Sequence, residues 1–230
     1  MELGSPQWQD LIVQGARSFD VPLHPQLVAQ YAEYAKILVR WNEKINLTAI
    51  TEPRDMAIKH FIDSLALAPF VPATASVLDM GSGAGFPGLV LKILYPPLKM
   101  TLIDGVLKKV NFIKYVIRTL KLSGAQALHT RAEALGQKDD EKNRFDFITC
   151  RAFSSMEHFA LLGRPLLAEG GVLLALKGRI TDQDELSPTH GKGPEAQVVT
   201  FGHHRFRISL TRYQLPFSRA SRTIACLQPV

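Results

Sequence analysis

The sequence predicts an α/β fold: a mostly parallel sheet with helices on both faces, a helical extension before it and an antiparallel end after it. Three observations carry this. Short β-type runs alternate with helical segments from Ser76 to Lys177, the pattern of strand–helix–strand units. A glycine-rich turn separates the first run from the helix that follows it. The tail then reads as consecutive strands with no helix between them, as in an antiparallel arrangement.

Taken in order, "HPQLVAQYAEYAKILVRWNEKINL" spaces Leu27, Tyr31, Tyr34, Leu38, Trp41 and Ile45 by threes and fours, one face of a helix, with Pro25 where a first turn tolerates it. Asn46 caps or turns the chain beyond it. Residues from about Asp55 to about Phe70 repeat the helical pattern and stop near Pro69 and Pro72. These segments make residues 1–72 a helical extension packed on a core of residues 73–230. In that core "SVLDM", "KMTLID", "AQALHT", "FDFITC" and "GVLLALK" are strands, and "VLKKVNFIKYVIRTLKL" and "SMEHFALLGRPLL" are helices between them. The first helix is expected to bury Val106, Val110, Ile113, Ile117 and Leu120 and to leave Lys108, Lys109, Lys114, Arg118 and Lys121 outside, either as a polyanion-binding face or as an ordinary solvated one. "AQVVTFGHHRFRISLTRYQL" and "SRTIACLQ" are strands joined by the turn "PFSRA". "GRITDQDELSPTHGKGPEA" is the expected flexible insert.

Composition bounds the partners. The 230 residues are 46% hydrophobic, enough for one sizeable core. Lys and Arg number 27 against 21 Asp and Glu, a net charge of +6 that suits a polyanionic partner. The two cysteines, Cys150 and Cys226, make neither a disulfide framework nor a CxxC metal pair. His203 and His204 have no carboxylate or thiol nearby to complete a site, so no metal is expected. The N-terminus lacks a basic segment leading into a long apolar one, and no window has the apolar length of a membrane span. A cytoplasmic protein without a membrane partner is expected.

The stretch "SVLDMGSGAGFPGLVLKILYP" sets four glycines within eight residues in the first strand-to-helix turn, where open α/β sheets bind ligands. Gly83, Gly85 and Gly88 spell GxGxxG, so a nicotinamide-dependent dehydrogenase is one reading. Asp79 at the strand end would repel a pyrophosphate, and Pro87 removes an N–H that a phosphate turn would use. S-adenosyl-L-methionine fits better, since its methionine part carries an ammonium and a sulfonium and no phosphate. Asp104 ends the second strand, where a carboxylate can accept hydrogen bonds from both ribose hydroxyls, each worth about 1.5–3 kcal/mol; dinucleotide enzymes use an acid here too. In "HTRAEAL" the backbone of Ala132 and the side chain of Glu133 can meet an adenine edge, although Glu133 also favours a helix start.

Together "NLTAI" (46–50), "HFIDSL" (60–65), "DMGSGAGFPGLVL" (79–91), "CRAFSS" (150–155) and "ALKG" (175–178) resemble the glucose-inhibited division protein B family, also called RsmG. The resemblance runs in the same order and spacing from roughly residue 25 to residue 180. It implies a class I, Rossmann-like, S-adenosylmethionine-dependent methyltransferase acting on N7 of a guanine in 16S ribosomal RNA, bare or within an assembling small subunit, and a monomer. It places cofactor contacts on Gly81, Gly83, Phe86, Ala132, Glu133 and Arg151, with Asp104 in addition. The family often has an aliphatic residue where Phe86 stands, and commonly Ser where Cys150 stands.

Guanine N7 carries a lone pair and no proton, so methylation there needs positioning more than a general base. The Asp/Asn-Pro-Pro-aromatic motif of enzymes that methylate exocyclic amines has no counterpart in "CRAF". Cys150 is either a covalent nucleophile or a small buried thiol, the commoner case. Arg151 can pair with a cofactor carboxylate, with a phosphate, or with an acid that holds its loop. Lys177 can reach the base or a phosphate, or lie along the surface. His60 and Asp63, three apart on one helix face, are candidates for the target-base pocket or for plain packing. With Arg151 and Lys177, His60 completes the expected positioning set. The tail mixes five arginines with Phe206, Tyr213 and Phe217, which suits phosphates and stacked bases. A noncatalytic RNA-binding protein therefore stands beside the enzyme readings.

Overall fold

A computed structural model describes residues 1–137, 144–151, 155–178 and 197–230. Among these residues the sheet has eight strands: β1 Ser76–Met80, β2 Lys99–Asp104, β3 Ala125–His129, β4 Phe145–Arg151, β5 Leu167–Lys177, β6 Gln197–Phe201, β7 His204–Gln214 and β8 Ser221–Pro229. Their order is β3-β2-β1-β4-β5-β8-β7-β6. β1 to β5 run parallel, and β8, β7 and β6 continue the sheet antiparallel. Most of the expected insert, residues 179–196, lies outside the described residues.

Alternation along each strand decides which side a residue feeds. Val77, Leu174, Leu176 and Ile224 join a large apolar cluster with the N-terminal helices, and their neighbours Leu78, Leu173, Ala175 and Ala225 join a second cluster on the other face. The helices on the first face are α1 Pro6–Arg17, α2 Pro25–Ile45, a composite run, α5 Gly88–Leu94 and α6 Leu107–Thr119. α7 Ala132–Gly136 and α8 Met156–Gly163 feed the second.

The helix ends follow their chemistry. Ser5 caps α1 by accepting from the Trp8 N–H, with Pro6 in the first turn; this helix lies outside the expected set. Trp8 is fully buried and its Nε1 donates to the Pro53 carbonyl at 2.8 Å, so α1 is fastened to the composite run by an anchor whose truncation costs about 3–5 kcal/mol. α2 ends at Asn46, whose φ of 48° is the left-handed stop that asparagine tolerates. α5 ends at the Pro96–Pro97 pair, where the buried Lys92 Nζ donates to the carbonyls of Pro96 and Leu98 at 2.6 Å each.

Two expectations are corrected. The run after Pro53 is not one α-helix: Pro53–Met56 (α3) and Asp63–Leu65 (α4) flank a π-helical turn, Ala57–Ile62. The inward stripe of α6 is Val110, Phe112, Ile113 and Val116. Val106 is 47% exposed instead of buried, because it precedes the helix in extended backbone and its N–H is drawn to Asp104 Oδ1.

Candidate functional site

The strand order brings the ends of β3, β2, β1, β4 and β5 to one edge of the sheet. Ala132 and Glu133 follow β3, Asp104 ends β2, the glycine turn follows β1, Arg151 ends β4 and Lys177 ends β5. The sheet thus aligns Gly81, Gly83, Asp104, Ala132, Glu133 and Arg151 along this edge.

The four glycines divide into two jobs. Gly81 and Gly83 have positive φ, 72° and 57°. A Cβ on Gly81 would meet nothing within 4 Å, and one on Gly83 only the Gly81 carbonyl at 4.0 Å. These two leave bare backbone facing open space. Gly85 and Gly88 are closed in by the protein: a Cβ on Gly85 would lie 2.4 Å from Leu89, and one on Gly88 2.7 Å from Asp79 Oδ2. The turn is pinned beneath, since the N–H groups of Gly81 and Ser82 both donate to the Ile103 carbonyl of β2 at 3.0 Å.

Asp79 lies wholly buried under this turn. Its Oδ2 accepts from the Gly88 N–H at 2.9 Å, and its Oδ1 lies 3.5 Å from Thr149 Oγ1, the register partner on β4. Burial pushes its carboxyl up to about 7, against the Gly88 hydrogen bond and the nearby Arg151 charge. A carboxylate therefore already sits at the start of α5, the place a dinucleotide pyrophosphate would require. Gly85, the middle glycine of the GxGxxG triplet, where a dinucleotide pyrophosphate would have to approach the backbone, is instead closed in by Leu89 and Tyr34, so the geometry does not match the nicotinamide reading.

Asp104 does more than wait for a ribose. Its Oδ2 accepts from the Gly83 N–H at 2.9 Å and its Oδ1 from the Val106 N–H at 2.8 Å. It braces the glycine turn against the β2–α6 turn, and a ribose would share the remaining lone pairs. Ala132 is buried at the first position of α7, and Glu133 is exposed in that first turn.

Phe86 and His60 are both packed into the interior, the plain-packing alternative for His60. The Phe86 ring is buried, stacked on His60 (4.5 Å, 13°) and on Tyr34 (5.1 Å, 21°), and meets Phe61 edge-on. Its side chain is core, so contact with a ligand is left to its backbone. Arg151 Cζ lies 5.2 Å over the same ring, and its guanidinium donates to the Lys59 carbonyl at 3.1 Å. Burial lowers the basicity of Arg151, while Asp63 and Asp79 act to restore it.

His60 is 4% exposed, which leaves it no open face for a target base. Its Nε2 lies 2.9 Å from Thr48 Oγ1, and its Nδ1 has no hydrogen-bond partner among the described residues. Burial, and then the Arg151 charge, bring its pKa down to about 3, so the ring is neutral. Thr48 is held in turn by Asn42, whose side chain bonds both its N–H and its carbonyl, at 2.9 and 3.0 Å. Tyr34, Asn42 and Thr48 stand outside the expected site residues, because their roles depend on neighbours distant in the chain or across a turn.

Asp63 is also spoken for. It accepts from Tyr213 Oη at 2.8 Å and pairs with Arg222 Nε at 3.3 Å. Arg222 therefore leaves the set of tail arginines offered to phosphates, because its charge is spent on this buried acid. Cys150 is buried, and burial raises its thiol pKa well above the ordinary value, with Asp79 adding to the rise and Lys177 opposing it. A protonated, enclosed thiol is a poor nucleophile. Among the described residues no cluster of His, Cys, Asp or Glu could hold a metal ion, and no helix is long and apolar enough to cross a membrane.

A family model described as rRNA small subunit methyltransferase G matches residues 27–199. The chain is 41% identical over 171 residues to a ribosomal RNA small subunit methyltransferase G of Lactococcus lactis, covering 73% of this chain and 72% of that one. It is 37% identical over 224 residues to the protein of the same name from Myxococcus xanthus, covering 97% and 98%. Among solved structures, a SAM-dependent methyltransferase from Aquifex aeolicus superposes with a TM-score of 0.54 at 15% identity, covering 79% of this chain and 96% of that one. Pyrococcus horikoshii TYW2 in complex with MeSAdo gives 0.53 at 11%, covering 73% and 61%. Both structural likenesses concern the fold.

Proposed function

Since the chain belongs to the rRNA small subunit methyltransferase G family, we propose that it methylates N7 of a guanine in 16S ribosomal RNA, with S-adenosyl-L-methionine as donor. The observation that carries the donor assignment is the division of the glycines, with Gly81 and Gly83 open and the middle glycine of the triplet, Gly85, closed in by Leu89 and Tyr34. A ligand without a pyrophosphate suits that arrangement, and a dinucleotide does not.

When bound, the donor supplies a methyl group on a sulfonium, and N7 of guanine meets it with a lone pair and loses no proton. The protein's work is therefore to hold and to exclude. Gly81 and Gly83 offer backbone without side chains, Asp104 fixes their turn, and Asp79 anchors the start of α5 beneath it. Ala132 and Glu133 stand where an adenine edge would reach β3. Arg151, held over Phe86 and against the Lys59 carbonyl, offers a cation beside the cradle, and Lys177 borders it from β5. His60 acts through Phe86 and Arg151 as a positioning residue. Residues 1–72 form the helical platform behind them, and the protein works in the cytoplasm as a monomer.

The test is transfer of labelled methyl from S-adenosylmethionine to small-subunit RNA, followed by borohydride reduction and aniline cleavage, which cut RNA at N7-methylguanosine. Label that resists this cleavage would overturn the N7 assignment. No transfer to either bare RNA or small subunits would overturn the function.

A further inference from the structure

A groove of about 400 Å³ lies between α2 and α6, outside the cradle described above. That volume falls within the roughly 300–1,000 Å³ range of small-ligand pockets. Its floor is the stripe Ile37, Trp41 and Ile45 of α2 together with Tyr115 of α6, and its rim carries Arg40 and Lys44. The two rings are half-buried. Their centroids are 5.3 Å apart and their planes tilt by 49°, a tilted contact and not a parallel stack. Phe112 braces Trp41 from below, edge to face at 5.7 Å. Arg118 Cζ stands 5.5 Å over the Tyr115 ring.

Charge decides what such a groove suits. None of the described residues that line it is acidic, and exposed Arg118 and Lys114 extend the positive surface along α6. Arg40 approaches Glu33 at 3.6 Å, but both side chains are well exposed, at 65% and 45%. A pair of that kind is worth little and yields readily to a phosphate. An apolar protein helix would leave the rim cations unanswered. A single-stranded nucleic acid satisfies both parts, its bases on the rings and its phosphates on the rim.

We propose that this groove is a base-stacking site for an unpaired segment of the RNA substrate, with Trp41 and Tyr115 as the platform and Arg40 and Lys44 as phosphate contacts. The inference rests on the chain acting on RNA. It adds a second point of attachment, on the flank of the helical layer, that fixes the strand while its target guanine occupies the cradle.

Trp41 reports on its own site. The chain has two tryptophans, and Trp8 is fully buried with its Nε1 bonded, so it gives a constant background. A mixed-sequence RNA octamer is titrated into the full-length protein, beside an abasic ribose-phosphate chain of the same length. The octamer quenches tryptophan fluorescence and the abasic chain does not. Trp41→Leu abolishes the quench and weakens octamer binding roughly 5- to 150-fold, the span carried by base–aromatic stacking, while S-adenosylmethionine affinity holds. Should that variant fold poorly, Arg40→Gln/Lys44→Gln changes only surface residues and reduces the slope of log affinity against log salt by about 1.4, two phosphates at about 0.7 each on single strands.

Equal quenching by the abasic chain overturns the proposal, as does parental octamer affinity in Trp41→Leu. So does a Trp41→Leu protein that loses affinity for small subunits and keeps it for bare RNA, which would assign the groove to a protein. Methyl transfer by the parent is measured separately. Its absence would sink the proposed function, and the titrations would still decide the groove.

Discussion

Asp79 and Gly88 are joined by a 2.9 Å hydrogen bond, the glycine N–H donating to Oδ2 of a carboxylate with no exposed surface. The bond ties the end of β1 to the start of α5 and fills the anion position of that helix with the protein's own acid. It also leaves a carboxyl that titrates near neutrality, at about 7.

Asp79 and His60 should therefore oppose each other in pH-dependent stability. The Asp79 pKa is raised from 3.8 to about 7, so between those values the folded state holds a proton that the unfolded state has lost, and stability falls as pH rises. The His60 pKa is lowered from 6.5 to about 3, so across that window the unfolded state holds the extra proton and stability rises with pH. Each contributes a slope of about 1.4 kcal/mol per pH unit, and the two cancel where they overlap. Relative to the parent in urea unfolding, Asp79→Asn should gain a rising slope between pH 4 and 6.5, and His60→Gln a falling one. Parallel curves for all three proteins would refute the assignment.

Gly81→Ala and Gly88→Ala should fail in different ways. At Gly81 the new methyl meets open space but inherits a φ of 72°, a strain of about 1–2 kcal/mol. That should lower Tm by only a few degrees while weakening S-adenosylmethionine binding at least tenfold by calorimetry. At Gly88 the methyl would sit 2.7 Å from Asp79 Oδ2 and 2.9 Å from Leu102, and overpacking there should cost about 1–3 kcal/mol or more. Parental cofactor affinity in Gly81→Ala would contradict the cradle.

Cys150→Ala should keep most methyl transfer. The thiol is buried and held protonated, and a lone-pair nucleophile on the base has no use for it. The expected cost is stability alone, about 1 kcal/mol. Complete loss of transfer in a folded protein that still binds cofactor would revive covalent catalysis.

Two basic surfaces compete for the rest of the RNA. Changing Lys108, Lys109, Lys114 and Arg118 to glutamine should flatten the salt dependence of RNA binding by about 0.7–0.9 for each phosphate no longer neutralised, with the cofactor dissociation constant unmoved. The matched control replaces Arg205, Arg207 and Arg219 and leaves Arg222 on Asp63. A slope that responds only to the control set would move the RNA to the tail side.

The alternation of strands and helices is legible in the sequence because each strand is a short apolar run bounded by breakers, and β1 to β5 stand where the runs predict them. Helix α1 carries a legible start too, Ser5 followed by Pro6, although the expected helices begin only at Pro25. The π-helical turn at 57–62 is not legible, since over six residues its period barely differs from that of an α-helix. The alignment of Asp79, Gly81, Asp104 and Arg151 on one sheet edge follows from placing each at a strand end. The burial of Phe86 does not follow from local pattern, because Tyr34, His60 and Phe61, which enclose it, lie well upstream. Asp63 and Arg222 are 159 residues apart, and only the packed chain makes them partners.

Strand β8 lies between β5 and β7, so the order of synthesis and the order of the sheet disagree. A ribosome delivers β1 to β5 and then the β6–β7 hairpin before the strand that must separate them. Until residues 221–229 emerge, β5 keeps an open edge, and such edges invite pairing with another chain. The hairpin has nothing to join and is marginal alone. A premature stop after Gln214 would remove the interior strand, set the β6–β7 hairpin adrift and strip Asp63 of the arginine it pairs with, a loss far larger than the number of missing residues suggests.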